Sequence, residues 1–281
     1  MTKNKQTLVS VYIPTHNRRE LLERALNSIL KQTYQYIEII VCDDGSSDNT
    51  ESFMRDFIKK YPTIKYLKNL TPKGANVARN RAIKESKGDL ITGFDDDDEM
   101  FPFYIEKLVK AYDDKYAFVY SGYKVQAPTR IVTNTVSKNF FSINEILNFN
   151  YISNQVLTTK EMYIEAGLFD ERMVACQDYD MWIRLLKIKP FAKALQEPLF
   201  IMYTNHARIS NSNNHLKGNI QWFLKHKHML TKRRRKELVF AFRLSKKRKI
   251  NFKDKIFIKL NNIYKRFFIS NYLKTSIEKL N

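Results

Sequence analysis

Strand-like and helix-like segments alternate through the first third of the chain, and this alternation constrains the fold more than any other feature. Leu8–Ile13, Ile37–Cys42, Ile64–Leu67 and Leu90–Phe94 are short apolar runs. Between them apolar residues recur at helical spacing: Leu21, Leu22, Ala25, Leu26, Ile29 and Leu30, then Phe53, Phe57 and Ile58 in a helix expected over Thr50–Lys60. A third helix is expected from Ala75 to Ser86, entered at Gly74 and closed by Gly88. Pro14 stops the first strand, and Asn17 is placed to cap the helix after it. The rhythm predicts an α/β fold built from βαβ units, with a mostly parallel sheet flanked by helices. Further on, Tyr104–Tyr112, Ile143–Phe149 and Gln177–Leu186 read as helices. Ala117–Ser121, Thr129–Val136 and Ala192–Tyr203 read as strands or apolar arms.

The fourth strand runs into Asp95-Asp96-Asp97-Asp98-Glu99. Five adjacent carboxylates repel one another, so leaving them at a strand's carboxyl end costs stability unless positive charge sits among them. A hard divalent cation with oxygen ligands supplies that charge, and in open α/β sheets this edge is where ligands bind. The plainer reading is a solvated acidic turn.

With 281 residues, 43% hydrophobic and 13% aromatic, the chain can bury a substantial core, which excludes a disordered tail protein. Cys42 and Cys176 are its two cysteines, too few for a disulfide framework or a structural zinc site, and they fit a reducing cytoplasm. The N-terminal residues show no apolar leader, and no window reaches the roughly 18 apolar residues of a membrane span. Charge divides the chain unevenly. After residue 216 come 20 of the 49 Lys/Arg but 3 of the 29 Asp/Glu. The expected division is therefore a nearly neutral domain over 1–215 and a basic, aromatic-rich helical region over 216–281.

Four stretches in order carry a resemblance: Val11-Tyr-Ile-Pro-Thr-His-Asn-Arg18, Val41-Cys-Asp-Asp-Gly-Ser46, Lys73-Gly-Ala-Asn-Val-Ala-Arg-Asn80 and Asp95–Asp98, with Gln177-Asp178 downstream. Over about residues 7–210 the chain resembles the family 2 glycosyltransferases, inverting nucleotide-sugar enzymes of the Rossmann-like GT-A fold. The resemblance implies a UDP-sugar donor, with Asp44 reading the uracil, Asp43 in support, and Pro14, Thr15 and Asn17 wrapping the base. It places Arg79, and more weakly Lys73, near the uracil or diphosphate, where a helix N-terminus and an arginine favour anions. The acidic run maps onto the family's DxD pattern as Asp95-Asp96-Asp97. Asp97 would ligate Mn2+ or Mg2+, Asp95 would contact ribose or a metal-bound water, and Asp96 would lie at the donor site. An Asp96/Asp98 register stays open. His206 is placed as a further metal ligand, and His16 has a weaker claim. Asp178 is implied as the general base, although Gln177 stands where the family carries Glu. Asp180 is read as structural, paired with Arg184 at i+4. Each of these residues also has an ordinary reading as a cap, turn or surface charge.

Beyond Trp222 aromatics and cations interleave, with clusters at Lys232–Lys236 and Lys246–Lys249 and an amphipathic repeat from Phe252 to Phe268. Residues 222–281 fit an anionic membrane surface, where lipid-linked glycan acceptors are found. Packing on the domain, a homodimer contact and nucleic-acid binding compete, nucleic acid least of all. The expectation is an inverting transferase of bacterial surface polysaccharide or lipooligosaccharide synthesis, cytoplasmic and peripheral at the inner membrane face. Two other classes stay open. A sugar nucleotidyltransferase would want a Gly-rich loop after the first strand, which Pro14–Arg18 lacks; a nucleic-acid binder leaves the carboxylates unexplained.

Overall fold

The computed structural model describes residues 7–152, 154–204 and 212–245. Strands β1 (Val9–Thr15), β2 (Ile37–Asp43), β3 (Ile64–Lys68) and β4 (Leu90–Gly93) alternate with helices α1 (Arg19–Leu30), α2 (Thr50–Lys60) and α3 (Ala75–Glu85). Then come β5 (Asp98–Met100), α4 (Tyr104–Ala111), β6 (Val119–Ala127), β7 (Arg130–Asn134), β8 (Phe140–Ser142) and α5 (Ile143–Asn148). Next are β9 (Leu157–Thr159), α6 (Lys160–Glu165), α7 (Gln177–Ile188) and β10 (Phe191–Tyr203). Helices α8 (Ser212–His226) and α9 (Lys232–Ser245) follow.

The strands form one ten-stranded sheet ordered β3-β2-β1-β4-β9-β6-β10-β5, with β7 beside β6 and β8 beside β10. The β1·β2, β2·β3, β1·β4 and β6·β10 ladders are parallel, as the alternation predicts. The short strands β5, β8 and β9 and the β7 hairpin arm add antiparallel edges and insertions.

Both faces of the sheet are covered, which is why its central strands read as continuous apolar runs. Val9, Val11, Ile13, Ile39 and Val41 pack with Leu22, Ala25, Leu26 and Ile29 of α1, Met54 of α2 and Leu108 of α4. Tyr12, Ile40 and Cys42 face the other way, into a cluster with Ala78 and Ile83 of α3 and Trp182 and Leu186 of α7. The same cluster takes in Trp222, Leu230 and Leu238, so the described part of the C-terminal region packs on the α/β body. Lys232, Arg233, Arg235, Lys236 and Arg243 point to solvent. The Lys246–Lys249 cluster, the repeat from Phe252 and His206 lie outside the described residues.

One local expectation is corrected. Asn17 does not cap α1: Arg18 occupies that position, without a side-chain cap. Asn17 instead takes a left-handed backbone, φ 54. Its Oδ1 accepts from Ser47 N at 2.8 Å and Asp48 N at 3.3 Å. It caps the loop before α2 rather than its own helix.

Candidate active site

Parallel register brings the motif residues together. Thr15 lies beside Asp43, and Tyr12 beside Gly93, so the loops after β1, β2 and β4 leave the sheet at one carboxyl edge. In the β2 loop, both aspartates turn inward. Asp43 Oδ1 accepts from Ser46 N at 2.8 Å and Oδ2 from Tyr66 OH at 2.5 Å. Asp44, 5% exposed, accepts from Asn69 Nδ2 (2.9 Å), Lys73 N (2.8 Å) and Gly74 N (2.7 Å). It fixes the approach to α3, and the Lys73 side chain itself is exposed. His16 Nδ1 lies 2.9 Å from Asp44 O, and Asn17 N donates to Ser46 Oγ at 2.9 Å. Pro14 is buried within β1.

The acidic run alternates: Asp95 and Asp97 are partly exposed, whereas Asp96 and Asp98 are buried. Asp96, 4% exposed, accepts from Thr15 Oγ1 at 2.7 Å and from Arg18 Nη1 at 3.1 Å. Burial pushes its carboxyl up to about 7, against the opposing pull of Arg18 and Thr15. Carboxylate oxygens of Asp95, Asp97 and Asp98 lie within 4.8 Å of one another, a third arrangement beside the two registers open in the sequence. These are hard oxygen donors suited to Mg2+ or Mn2+.

Much of the positive charge that the run demands comes from the protein itself. Arg18 pairs with Asp96 and with Asp97 (3.0 Å), and Arg79 pairs with Asp95 at 3.0 Å. Arg24 Nη2 donates to the Asp97 carbonyl at 2.5 Å while stacking over the Tyr203 ring. Asn154 Nδ2 donates to both Asp95 and Asp98. Sequence reasoning gave no role to Asn154, Arg18 or Arg24. Arg18 was within reach, since it closes a quoted motif; Asn154 sits in an aperiodic stretch and carried no signal.

Asp178 occupies the second position of α7, just after Cys176, which holds the N-cap with a left-handed backbone, φ 59. Burial pushes the Asp178 carboxyl up to about 7; Arg79 opposes the shift and Asp95 adds to it. Gln177 Nε2 donates to Asp178 Oδ2 at 3.3 Å. Asp180 is structural as expected, fully buried against Arg184 at 2.8 Å, Lys225 at 2.9 Å and His226 at 2.8 Å. A raised carboxyl, a buried arginine and a carboxylate trio thus share one edge of the sheet. Together they offer hard oxygen donors for a divalent cation, a fixed positive charge, and a carboxyl with raised affinity for its proton.

The architecture is the GT-A fold of glycosyltransferases. The family model for glycosyl transferase family 2 matches residues 10–168, and the chain belongs to that family and is a glycosyltransferase. It is similar to WcaA of Escherichia coli (strain K12), a glycosyl transferase assigned to colanic acid biosynthesis. The two are 31% identical over 83% of this chain and 86% of that one. A second relative, 31% identical over 64% of this chain and 70% of its own, is the Escherichia coli UDP-Glc:alpha-D-GlcNAc-diphosphoundecaprenol beta-1,3-glucosyltransferase WfgD. Among solved structures, the mannosyltransferase PcManGT of Pyrobaculum calidifontis, in complex with GDP-Man and Mn2+, superimposes with a TM-score of 0.62. That match covers 98% of this chain and 84% of the other at 15% identity, and so speaks for the fold.

Proposed function

We propose that the chain is an inverting, metal-dependent glycosyltransferase that moves a sugar from a UDP-sugar to a hydroxyl of a lipid-linked glycan in bacterial surface polysaccharide synthesis. The observation that carries this reading is the placement of Asp178: it opens α7 within the fields of buried Arg79 and of Asp95, which pair at 3.0 Å beside the converging carboxylates, and burial raises its carboxyl. A general base works best with a pKa near the working pH. Asp178 takes the proton from the acceptor hydroxyl while that oxygen bonds to the anomeric carbon. The bond from that carbon to the diphosphate oxygen breaks, and UDP departs with the electron pair. A single displacement inverts the centre.

The ends of β1 and β2, with Pro14, Thr15 and Asp43, and the loops after them, with Asn17 and Asp44, form the nucleoside wall, and Arg79 and Lys73 flank the diphosphate. Asp95, Asp97 and Asp98 would hold Mn2+ or Mg2+, with His206 as a further ligand and Asp96 as the buried anchor beneath. A bound divalent ion supplies Lewis-acid neutralisation of the departing diphosphate. WfgD's name, with its UDP-Glc donor and diphosphoundecaprenol acceptor, and the Mn2+ in the PcManGT complex support this choice of donor, acceptor class and metal. Among the described residues no helix is long and apolar enough to cross a membrane. The five exposed cations of α9 support peripheral attachment to the anionic inner face of the cytoplasmic membrane.

The test combines UDP-glucose, Mn2+ and GlcNAc-diphosphoundecaprenol, with the product's anomeric configuration read by NMR. Inverted configuration and loss of transfer in Asp178→Asn are expected; retained configuration, or near-full transfer by that variant, sinks the reading. Sedimentation with phosphatidylglycerol vesicles, but not phosphatidylcholine vesicles, checks the membrane assignment.

A further inference from the structure

The segment leading into α7 is held in an uncommon backbone. Gly167, Leu168 and Cys176 all have positive φ, and two of the three carry side chains. Such conformations persist only where the surroundings over-determine them. On the inner side α3 supplies the grip: Asn76 Nδ2 donates to the carbonyls of Asp170 (3.0 Å) and Met173 (3.1 Å). Asn80 exchanges hydrogen bonds with the backbone of Phe169, at 2.9 and 2.8 Å.

The outer side is held by α8. Gln221 Nε2 donates to the Arg172 carbonyl at 2.9 Å, and its Oε1 accepts from Val174 N at 3.1 Å. Lys225 bridges Asp170 and Asp180, each at 2.9 Å, and Nε2 of the buried His226 lies 2.8 Å from Asp180. Trp222 stacks on Tyr179 with ring centres 4.3 Å apart and planes 12° from parallel. Tyr179 follows Asp178 directly. At Gly218 the helix touches the turn so closely that an added Cβ would fall 2.6 Å from both Cβ and the carbonyl oxygen of Ala175.

From this geometry we infer that α8 is the positioning element of the reaction. It clamps residues 170–176 against α3 so that Asp178 enters α7 at the orientation proton transfer requires. Gly218 and Gln221 are the positioning residues. The inference rests on Asp178 as the base, and it gives the C-terminal region a part in turnover separate from any membrane contact. The donor loops after β1, β2 and β4 receive none of these α8 contacts, and the one link toward the donor side runs through Asn76, which accepts from Arg79 at 3.3 Å, so the clamp is expected to act on turnover more than on donor affinity.

Two variants of the full chain test it. Gly218→Val pushes Ala175 outward, and Gln221→Ala releases Arg172 and Val174 without adding bulk. Misplacement by about 1 Å can cost about 100-fold in rate, so kcat for UDP release from UDP-glucose should fall by about 10- to 100-fold. The Kd for UDP with Mn2+ should stay within about twofold. Amide exchange should quicken over residues 169–181 and stay unchanged over residues 90–94. If Gly218→Val loses its cooperative melt, Gln221→Ala decides. Wild-type kcat with unchanged exchange in the folded variants overturns the clamp, as does a loss of UDP affinity in step with kcat. Faster exchange over 169–181 beside a fully active Asp178→Asn overturns the base assignment and the clamp's catalytic role together. An inactive Asp178→Asn beside fully active clamp variants overturns the clamp alone.

Discussion

Arg79 donates to Asp95 Oδ1 at 3.0 Å from a site 7% exposed, and its charge also acts on Asp178. The two carboxylates raise the affinity of Arg79 for its proton even though burial works against the charged form. One guanidinium therefore serves both the proposed metal-holding run and the proposed base.

Replacing Arg79 with alanine removes the shared cation. Breaking a buried pair from one side costs about 3–5 kcal/mol, and the low end, about 3 kcal/mol, is expected because Asp95 keeps some solvent contact. Urea unfolding measures it. Arg79→Lys should recover part of the loss, since it restores the charge but not the fork that also reaches Asn76 Oδ1 at 3.3 Å.

The βαβ core was legible because its strands are buried on both faces and its helices are amphipathic, so two periodicities alternate openly in the chain. Three-residue strands such as β9 have no period to detect; their existence depends on the ladders they join. Asn17 shows a different limit. An asparagine just before a helix fits an N-cap and fits equally a left-handed residue that caps a neighbouring loop. The choice is made by the loop after β2, which the parallel register brings alongside. The acidic run shows a third. Its need for positive charge was readable, but Arg18, Arg24 and Arg79 come from distant segments, and nothing local ties them to Asp95–Asp98.

Within that run, the direction of the carboxylates separates the aspartates by role: oxygens of Asp95, Asp97 and Asp98 converge, whereas Asp96 turns to Thr15 and Arg18. Asp97→Asn and Asp98→Asn should abolish the Mn2+-dependent rise in melting temperature on adding UDP. In the wild type that rise corresponds to about 2.7 kcal/mol with ligand at about 100 times its Kd. EDTA should abolish it equally. Asp96→Asn removes the charge that Arg18 and Thr15 converge on, a carboxyl outside the converging trio, and should keep the Mn2+ dependence. A differential scanning fluorimetry panel of the three variants, with and without EDTA, checks all of this.

Gly45, the turn residue after Asp44, packs against Thr71 and Pro72 of the loop before α3. Its φ is 72, and an added Cβ would lie 2.8 Å from Pro72 N and from the Thr71 carbonyl carbon. Gly45→Ala therefore strains the backbone and presses on backbone atoms that cannot rotate away. A loss of about 1–3 kcal/mol is expected in urea unfolding, together with weaker UDP binding as the Asp44 contacts to Lys73 N and Gly74 N shift.

Asp178 gives the pH dependence its sign. Its folded-state pKa, about 7, lies above the ordinary carboxylate value because burial disfavours the charge. Between about pH 4, where the unfolded chain ionises, and pH 7, the folded protein holds a proton that the unfolded chain has released. The contribution of this group to stability therefore falls as pH rises across that window and stays low above it. Asp178→Asn removes the half-buried charge, so the variant should melt higher than the wild type at pH 8, and the difference should shrink as pH falls toward about 4. Activity runs the opposite way, because the base must be ionised to accept a proton. Wild-type kcat/KM for transfer should climb with pH through about 7 and then level off. Arg79→Lys, with a less well-matched cation beside the carboxyl, should move that limb to higher pH. Parallel melting curves and pH–rate profiles of the wild type, Asp178→Asn and Arg79→Lys measure both trends. A rate profile flat from pH 5 to 8 would remove Asp178 from the proton transfer, whatever the melting curves show.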